Sequence, residues 1–169
     1  MNNGHTVQVN YDDGSFIDIE GTRYDLVQFH FHIPSEHTFN GQFSAMEMHI
    51  VHESPGGRFA VIGVMINEGR NNDILDLVWD HLPPDEGPWK TIGININVFD
   101  LLPPEKQAYL YNGSLTTPPC SEEVIWFIMN NPIEISKNQI KAFKQIFNSN
   151  NRPVQLLRNR KVAAGSPIK

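Results

Sequence analysis

Cysteine is almost missing from this chain of 169 residues, which has only Cys120. That excludes an internal disulfide and any cysteine-built metal site. Clustered positive charge is scarce as well. Thirteen Lys and Arg face nineteen Asp and Glu, for a net charge of −6, and the one basic cluster is Arg158, Arg160 and Lys161. An acidic balance without a basic run argues against nucleic acid as a partner and suits a small neutral or anionic substrate. Long apolar runs are lacking too. No stretch approaches the ~20 residues that a membrane-spanning helix needs, so no membrane span is expected. Residues 1–5 carry no apolar run of the signal-peptide type. Neither a fixed-period repeat nor a low-complexity tract is visible.

What remains is an ordinary globular composition, 40% hydrophobic, in a length that suits one domain with a substantial core. Apolar and alternating runs predict strands over Thr6–Tyr11, Phe16–Ile19, Tyr24–Ile33, Ser44–Glu53, Phe59–Ile66 and Val124–Met129. Turn signals at Asp13-Gly14, Asn40-Gly41 and Pro55-Gly56-Gly57 separate them. Two helices are predicted. Asn72 or Asp73 caps a run with Ile74, Leu75, Leu77, Val78 and Leu82 at helical spacing. Ser136 and Gln139 form a capping-box pattern ahead of Ile140, Phe143, Ile146 and Phe147. Proline pairs at 83–84, 103–104 and 118–119 break the rest of the chain. Many strands and few helices favour a mainly antiparallel sheet over a βαβ fold.

The placement of the histidines carries the chemistry. In the segment Gln28-Phe29-His30-Phe31-His32, alternation puts Gln28, His30 and His32 on one strand face and the two phenylalanines on the other. In Glu47-Met48-His49-Ile50-Val51-His52, residues Glu47, His49 and Val51 share a face, and Asn40-Gly41 allows this strand to return beside the first. Three imidazoles that converge with a fourth position open are the donor set of catalytic zinc. His52, on the face opposite His49, reads as a satisfied core residue. His81 reads as a helix-end or surface residue, and His37 as structural. A cupin-like metalloprotein competes, since His30, His32 and Glu36 match the core of a cupin motif. Against it, Tyr24 stands where that motif opens on glycine, and no second motif follows.

Asn3-Gly4-His5, Gln28 to His32, Ser35-Glu36-His37-Thr38, Glu47 to His52, Asn112 to Pro119, Val124-Ile125-Trp126 and Asn151-Arg152-Pro153-Val154-Gln155 occur in a fixed order. From Asn2 to about Val162 the chain thereby resembles the alpha-class carbonic anhydrases, the bacterial type in particular. The resemblance implies a mainly β fold: a large, twisted, mostly antiparallel central sheet with a few peripheral helices. It implies Zn2+ on His30, His32 and His49, and reversible hydration of carbon dioxide to bicarbonate and a proton by a zinc-bound hydroxide. Thr116 would accept a hydrogen bond from that hydroxide and donate one to Glu36, while its backbone N–H meets bicarbonate or an inhibitor. Gln28 would support His30, Glu47 would support His49, and the Asn150 carbonyl would support His32. Val51, Val61, Leu115, Val124 and Trp126 would form the apolar pocket for carbon dioxide, with Thr117 and Gln8 as its polar lining. His5 would export the proton, although so near the chain start it is expected to be loosely held. Inhibition by sulfonamides is implied as well. A homodimer is left open.

The resemblance has departures. Family members carry a substantial segment ahead of Asn-Gly-His, with an aromatic cluster and a tyrosine of the active-site water network. A catalytic domain over 1–162, truncated at its N-terminus relative to the family, is therefore expected, followed by a tail over 163–169. Cys120 would be one half of a disulfide whose partner lies in the missing segment. Ser166-Pro167-Ile168 resembles a Ser-Pro-Ile near the family's N-terminus, as a rearranged chain would have it. Periplasmic or secreted location is implied by the bacterial resemblance. The competing functions are an inactive zinc-binding fragment, or a related binding module.

Overall fold

Runs of β-branched and aromatic residues set the architecture. In the computed structural model, which describes residues 1–165, they form β1 (Gln8–Asn10), β2 (Phe16–Ile19), β3 (Thr22–His32), β4 (Thr38–Phe39), β5 (Gln42–Phe43) and β6 (Met46–Glu53). The chain continues through β7 (Phe59–Glu68), β8 (Ala108–Ser114), β9 (Glu122–Met129), β10 (Ile133–Ile135) and β11 (Ala163–Gly165). Nine strands make one sheet in the order β1-β3-β6-β7-β9-β8-β11, with β2 also on β3 and β10 also on β7. Most pairs are antiparallel, as expected. The exceptions are β9 and β10, which both run parallel to β7. They lie end to end along one edge of β7, because the connection from β7 leads first to β8, and β9 folds back between them.

Several elements differ from the sequence expectation. Asn40 and Gly41, both at positive φ, do not join the two histidine strands directly. They close the small β4–β5 hairpin inside that connection, where a two-residue turn demands this geometry. Strands β8, β10 and β11 were not foreseen. The chain from Ala163 to Gly165, taken above as the start of a tail, pairs with Leu110 to Ala108 and extends the sheet. Ser166-Pro167-Ile168 lies outside the described residues.

The helices are short. Helix α1 (Asp73–Trp79) starts at Asn72, whose side chain accepts the Leu75 N–H at 3.1 Å. It stops before Leu82, since His81 and Leu82 donate to carbonyls only three residues back and Pro83 cannot continue a helix. Helix α2 (Lys137–Lys144) opens on the Ser136–Gln139 capping box. Gln139 also ties the two helices together, through Nε2 to the Asn72 carbonyl and Asp76 and through its carbonyl to Trp79 Nε1.

One irregularity aims the site. β3 carries a bulge between Leu26 and Gln28, which resets the alternation of faces. Tyr24 and Leu26 therefore join Phe29 and Phe31 in the main core, while Gln28, His30 and His32 face the other way. Phe31 packs edge-on against Trp79 and Phe143, with ring centres at 5.0 and 6.0 Å. Each such buried ring contributes about 2–3 kcal/mol, so the back of β3 is anchored to the helices while its front stays free for chemistry. On that front face a smaller cluster of Val51, Val61, Met65, Val124, Trp126 and Ile128 flanks the histidines.

Candidate metal centre

His30 on β3 and His49 on β6 are direct cross-strand neighbours, and His32 follows two residues on. One ring nitrogen from each lies within 4.8 Å of the others, and the ring centres are 4.6–5.1 Å apart. The remaining nitrogens are all committed. His30 Nδ1 donates to Gln28 Oε1 at 2.8 Å, His32 Nδ1 to the Asn150 carbonyl at 3.1 Å, and His49 Nε2 to Glu47 Oε1 at 2.8 Å. This leaves Nε2 of His30, Nε2 of His32 and Nδ1 of His49 to face a common point. His32 Nε2 is buried with no partner among the described residues, an unfavourable state that a bound cation would relieve. Burial and the neighbouring imidazoles lower the pKa of His30 well below its ordinary value and that of His32 to about 4. Both are thus in the neutral, metal-binding form. Three anchored neutral imidazoles fit Zn2+.

A second cluster, His37, Glu47 and His49, is equally tight, but its donor atoms are spent on one another. Glu47 Oε1 accepts from His37 Nδ1 at 2.7 Å as well as from His49. Its Oε2 accepts the backbone N–H groups of Glu36 and His37 at 2.8 and 2.9 Å. Burial opposes ionisation of Glu47, yet His37 and His49 outweigh it and hold the carboxyl well below its usual range. Burial likewise lowers the His37 imidazole, and the Glu47 carboxylate more than offsets this, leaving it raised. On its far side, His37 Nε2 meets Tyr111 Oη at 2.7 Å. Burial, reinforced by Glu47, keeps that phenol protonated. Sequence reasoning missed both Tyr111 and the partnership of His37. They lie 74 residues apart, and the succession β6-β7-β9-β8 across the sheet brings them together.

The three free nitrogens open on a cleft of about 980 Å³. Val51, Val61, Leu115 and Trp126 line one side, and Gln8, Thr116 and Thr117 contribute polar groups. Phe59 joins the wall without having been singled out. Val124 does not reach the cleft. It is buried behind it, within the cluster of Val51, Val61 and Trp126. His5 stands exposed at the rim, its carbonyl accepting from Asn150 Nδ2 at 2.9 Å.

Glu36 sits on the floor. Its Oε1 accepts the Arg152 backbone N–H at 2.7 Å, and its Oε2, buried and without a hydrogen-bond partner among the described residues, is 3.9 Å from His49 Nδ1. The hydrogen bond that the resemblance placed between Thr116 and Glu36 is not formed: both line the cleft, but Glu36 Oε2 has no partner among the described residues. Glu36 does not join the cluster of candidate metal-binding atoms, unlike the glutamate of a cupin.

A model of the eukaryotic-type carbonic anhydrases matches residues 1–166. This chain belongs to the alpha-class carbonic anhydrase family. It is 47% identical over 163 residues to a carbonic anhydrase of Nostoc sp., covering 96% of this chain and 62% of that protein. With a Klebsiella pneumoniae carbonic anhydrase it shares 41% over 165 residues, covering 96% of this chain and 67% of the relative. An alpha-carbonic anhydrase from Thermovibrio ammonificans, solved with the inhibitor sulfanilamide, superposes with a TM-score of 0.92 at 42% identity. That match covers 95% of this chain and 71% of the other. The chain thus spans about two thirds of the length of these curated relatives. Family membership removes the cupin alternative.

The other histidines lie elsewhere. His81 is exposed and donates to the Leu77 carbonyl. His52, expected to be a satisfied core residue, is only partly so. It is buried at 4% exposure, its ring meeting the backbone of Ala60 and Ile50 while Nδ1 has no partner among the described residues, and it lines a separate cavity of about 730 Å³ on the opposite side of the sheet. Burial lowers its pKa to about 4. Cys120 is a free thiol.

Proposed function

We propose that this chain is a zinc-dependent carbonic anhydrase that catalyses the reversible hydration of carbon dioxide to bicarbonate and a proton. The observation that carries the reading is the convergence of three anchored imidazole nitrogens on the floor of a cleft with one apolar wall. When bound there, Zn2+ supplies a Lewis acid that makes water a nucleophile near neutral pH, as is established for carbonic anhydrases. His30, His32 and His49 hold the ion. Gln28, the Asn150 carbonyl and Glu47 fix each ring so that the correct nitrogen faces inward.

The rest of the cleft divides the labour. Val51, Val61, Leu115 and Trp126 receive carbon dioxide, a molecule with no hydrogen to donate, and keep that side dry. Thr116, whose hydroxyl has no partner among the described residues, orients the attacking oxygen. With the site loaded, its own O–H donates a hydrogen bond to Glu36 Oε2. Glu36 serves by accepting through Oε2, where an amide analogue, its carbonyl oxygen held by the Arg152 N–H, would present hydrogens instead. Thr117 and Gln8 complete the polar lining. His5, exposed at the rim, accepts the released proton and gives it to buffer. Sulfonamides, whose anionic nitrogen suits the same open position, inhibit. A periplasmic or secreted setting is inferred from the resemblance to bacterial enzymes alone; among the described residues no helix is long and apolar enough to cross a membrane.

The deciding experiment is metal analysis together with carbon dioxide hydration kinetics on folded protein. Zinc near one equivalent, hydration above buffer, and inhibition by sulfanilamide are expected. Zinc at that level with no hydration above buffer would refute the enzyme reading and leave a zinc-binding module.

A further inference from the structure

We propose that a groove walled by the β4–β5 hairpin, β8 and residues 152–162 is a second ligand site, which takes one carboxylate carried on a short apolar chain. The groove holds about 480 Å³, within the usual range for small-molecule sites. Phe39, Tyr109 and Ile128 line it, together with Val154, Leu157 and Val162, each of which is about half exposed. Apolar side chains left open around one bounded groove mark a binding surface, where the same residues scattered singly would not. A groove of this volume accepts one small molecule rather than the face of a bilayer.

Charge selects the ligand. The chain carries a net charge of −6, yet its one basic cluster, Arg158, Arg160 and Lys161, belongs to this wall. Arg152 and Arg160 line the groove half-buried, while Arg158 and Lys161 are exposed beside it. None of the four forms an ion pair among the described residues. Arg160 donates to the carbonyls of Leu157 and Leu156 at 3.1 and 2.6 Å and lies over the Tyr111 ring, and Arg152 donates to Ser114 Oγ at 3.3 Å. These neutral acceptors cancel no charge and use a minority of the five N–H groups on each guanidinium. Glu36 is the one acid among the described lining residues. Its carboxylate is occupied on the other side, with Oε1 on the Arg152 backbone N–H and Oε2 near His49. A guanidinium grips a carboxylate through paired N–H bonds, and the apolar walls hold the chain attached to it. The groove shares Glu36, Thr116 and Arg152 with the metal cleft, so a carboxylate has two places to bind, and a sulfonamide on the metal distinguishes them.

The test is calorimetric titration of octanoate into the zinc-loaded protein, with and without saturating sulfanilamide. One saturable site that persists under sulfanilamide is expected. 1-Octanol, which has the chain without the charge, should bind about tenfold more weakly, and so should octanoate to Arg160→Gln. Leu157→Asp sets a like charge in the wall and leaves the backbone carbonyl that Arg160 uses; it should also weaken octanoate about tenfold or more. Equal affinity for octanoate and 1-octanol would overturn the proposal, as would parent-like affinity in folded Arg160→Gln. Loss of the site under sulfanilamide would overturn it too, by placing the carboxylate on the metal. Should Arg160→Gln not fold, Leu157→Asp decides: parent-like affinity overturns the site. Binding to phosphatidylglycerol vesicles without binding to octanoate would overturn it in favour of a lipid surface. A protein that takes up no zinc would refute the metal-centre reading alone, since the octanoate titration can be run on it unchanged.

Discussion

Gly63 is the residue whose side chain would collide with the support of the metal site. It lies on β7 directly across from His49. A Cβ there would stand 2.8 Å from Ile128 Cδ1 and 2.9 Å from Glu47 Oε1. The isoleucine tip can swing aside. Glu47 Oε1 cannot, because it is held from two sides by His37 and His49. Relieving the clash requires a shift of about half an ångström to reach ordinary contact, enough to stretch one of these charge-assisted bonds past its normal range. Such a bond contributes about 1.5–3 kcal/mol, and overpacking costs about 1–3 kcal/mol more. Ala returns about 0.4–1 kcal/mol by restricting the unfolded chain. A net loss of about 2–5 kcal/mol is expected for Gly63→Ala, or about 4–20 °C in Tm for a chain of this size. Metal affinity should fall about 10–100-fold. The control is Gly87→Ala, where a Cβ meets nothing within 4 Å, and stability should stay within about 0.5 kcal/mol. Thermal melts of metal-free protein and chelator competition read the two effects. A lower Tm with unchanged metal affinity would show that Ile128 alone yields, refuting the account of Gly63.

Three further outcomes are expected. His49→Ala should lose tight zinc binding in metal analysis, since two imidazoles remain; retained affinity would count against its role. Glu36→Gln should keep zinc but lose hydration rate by about 10–100-fold, because the amide presents hydrogen where an acceptor is needed; an unchanged rate counts against the orienting role. His52→Leu tests pH dependence. With the folded pKa lowered from 6.5 to about 4, the unfolded chain binds a proton between those values that the folded chain does not. Stability therefore falls as pH falls through this window. From about pH 7.5 to about pH 5, the parent should lose about 2 kcal/mol more than His52→Leu in urea unfolding. Equal losses would refute the assignment.

Local signals were readable in the chain, and distant pairings were not. The capping residues Asn72 and Ser136 and the alternation in β3 and β6 are properties of neighbouring residues. By contrast, Ala163 to Gly165 has no strand preference of its own and is a strand only because the edge of β8 accepts it. The bulge at Val27 is silent in sequence, since Tyr24 to Ile33 reads as one unbroken run. Yet it decides that Leu26 turns to the core and Gln28 to the cleft. Similarly, His30, His32 and His49 could be grouped by parity, and the Asn150 carbonyl could be placed only by resemblance. Nothing short-range connects Gly63 or Tyr111 with Glu47.

The three supports behind the histidines are chemically unequal, and the inequality bears on how the site works. His30 leans on a neutral amide and His32 on a backbone carbonyl, while His49 leans on a buried carboxylate. Hydrogen bonds to an ionised acceptor are roughly twice as strong as neutral ones, so His49 is the most electron-rich of the three donors. Glu47 also sets one negative charge behind the ion, which favours retention of a dication at some expense in its Lewis acidity. Two neutral supports limit that expense. A carboxylate behind a second histidine would bind zinc harder while weakening its pull on water, the property for which hydration needs the metal. One charged support and two neutral ones would hold the ion without quenching it.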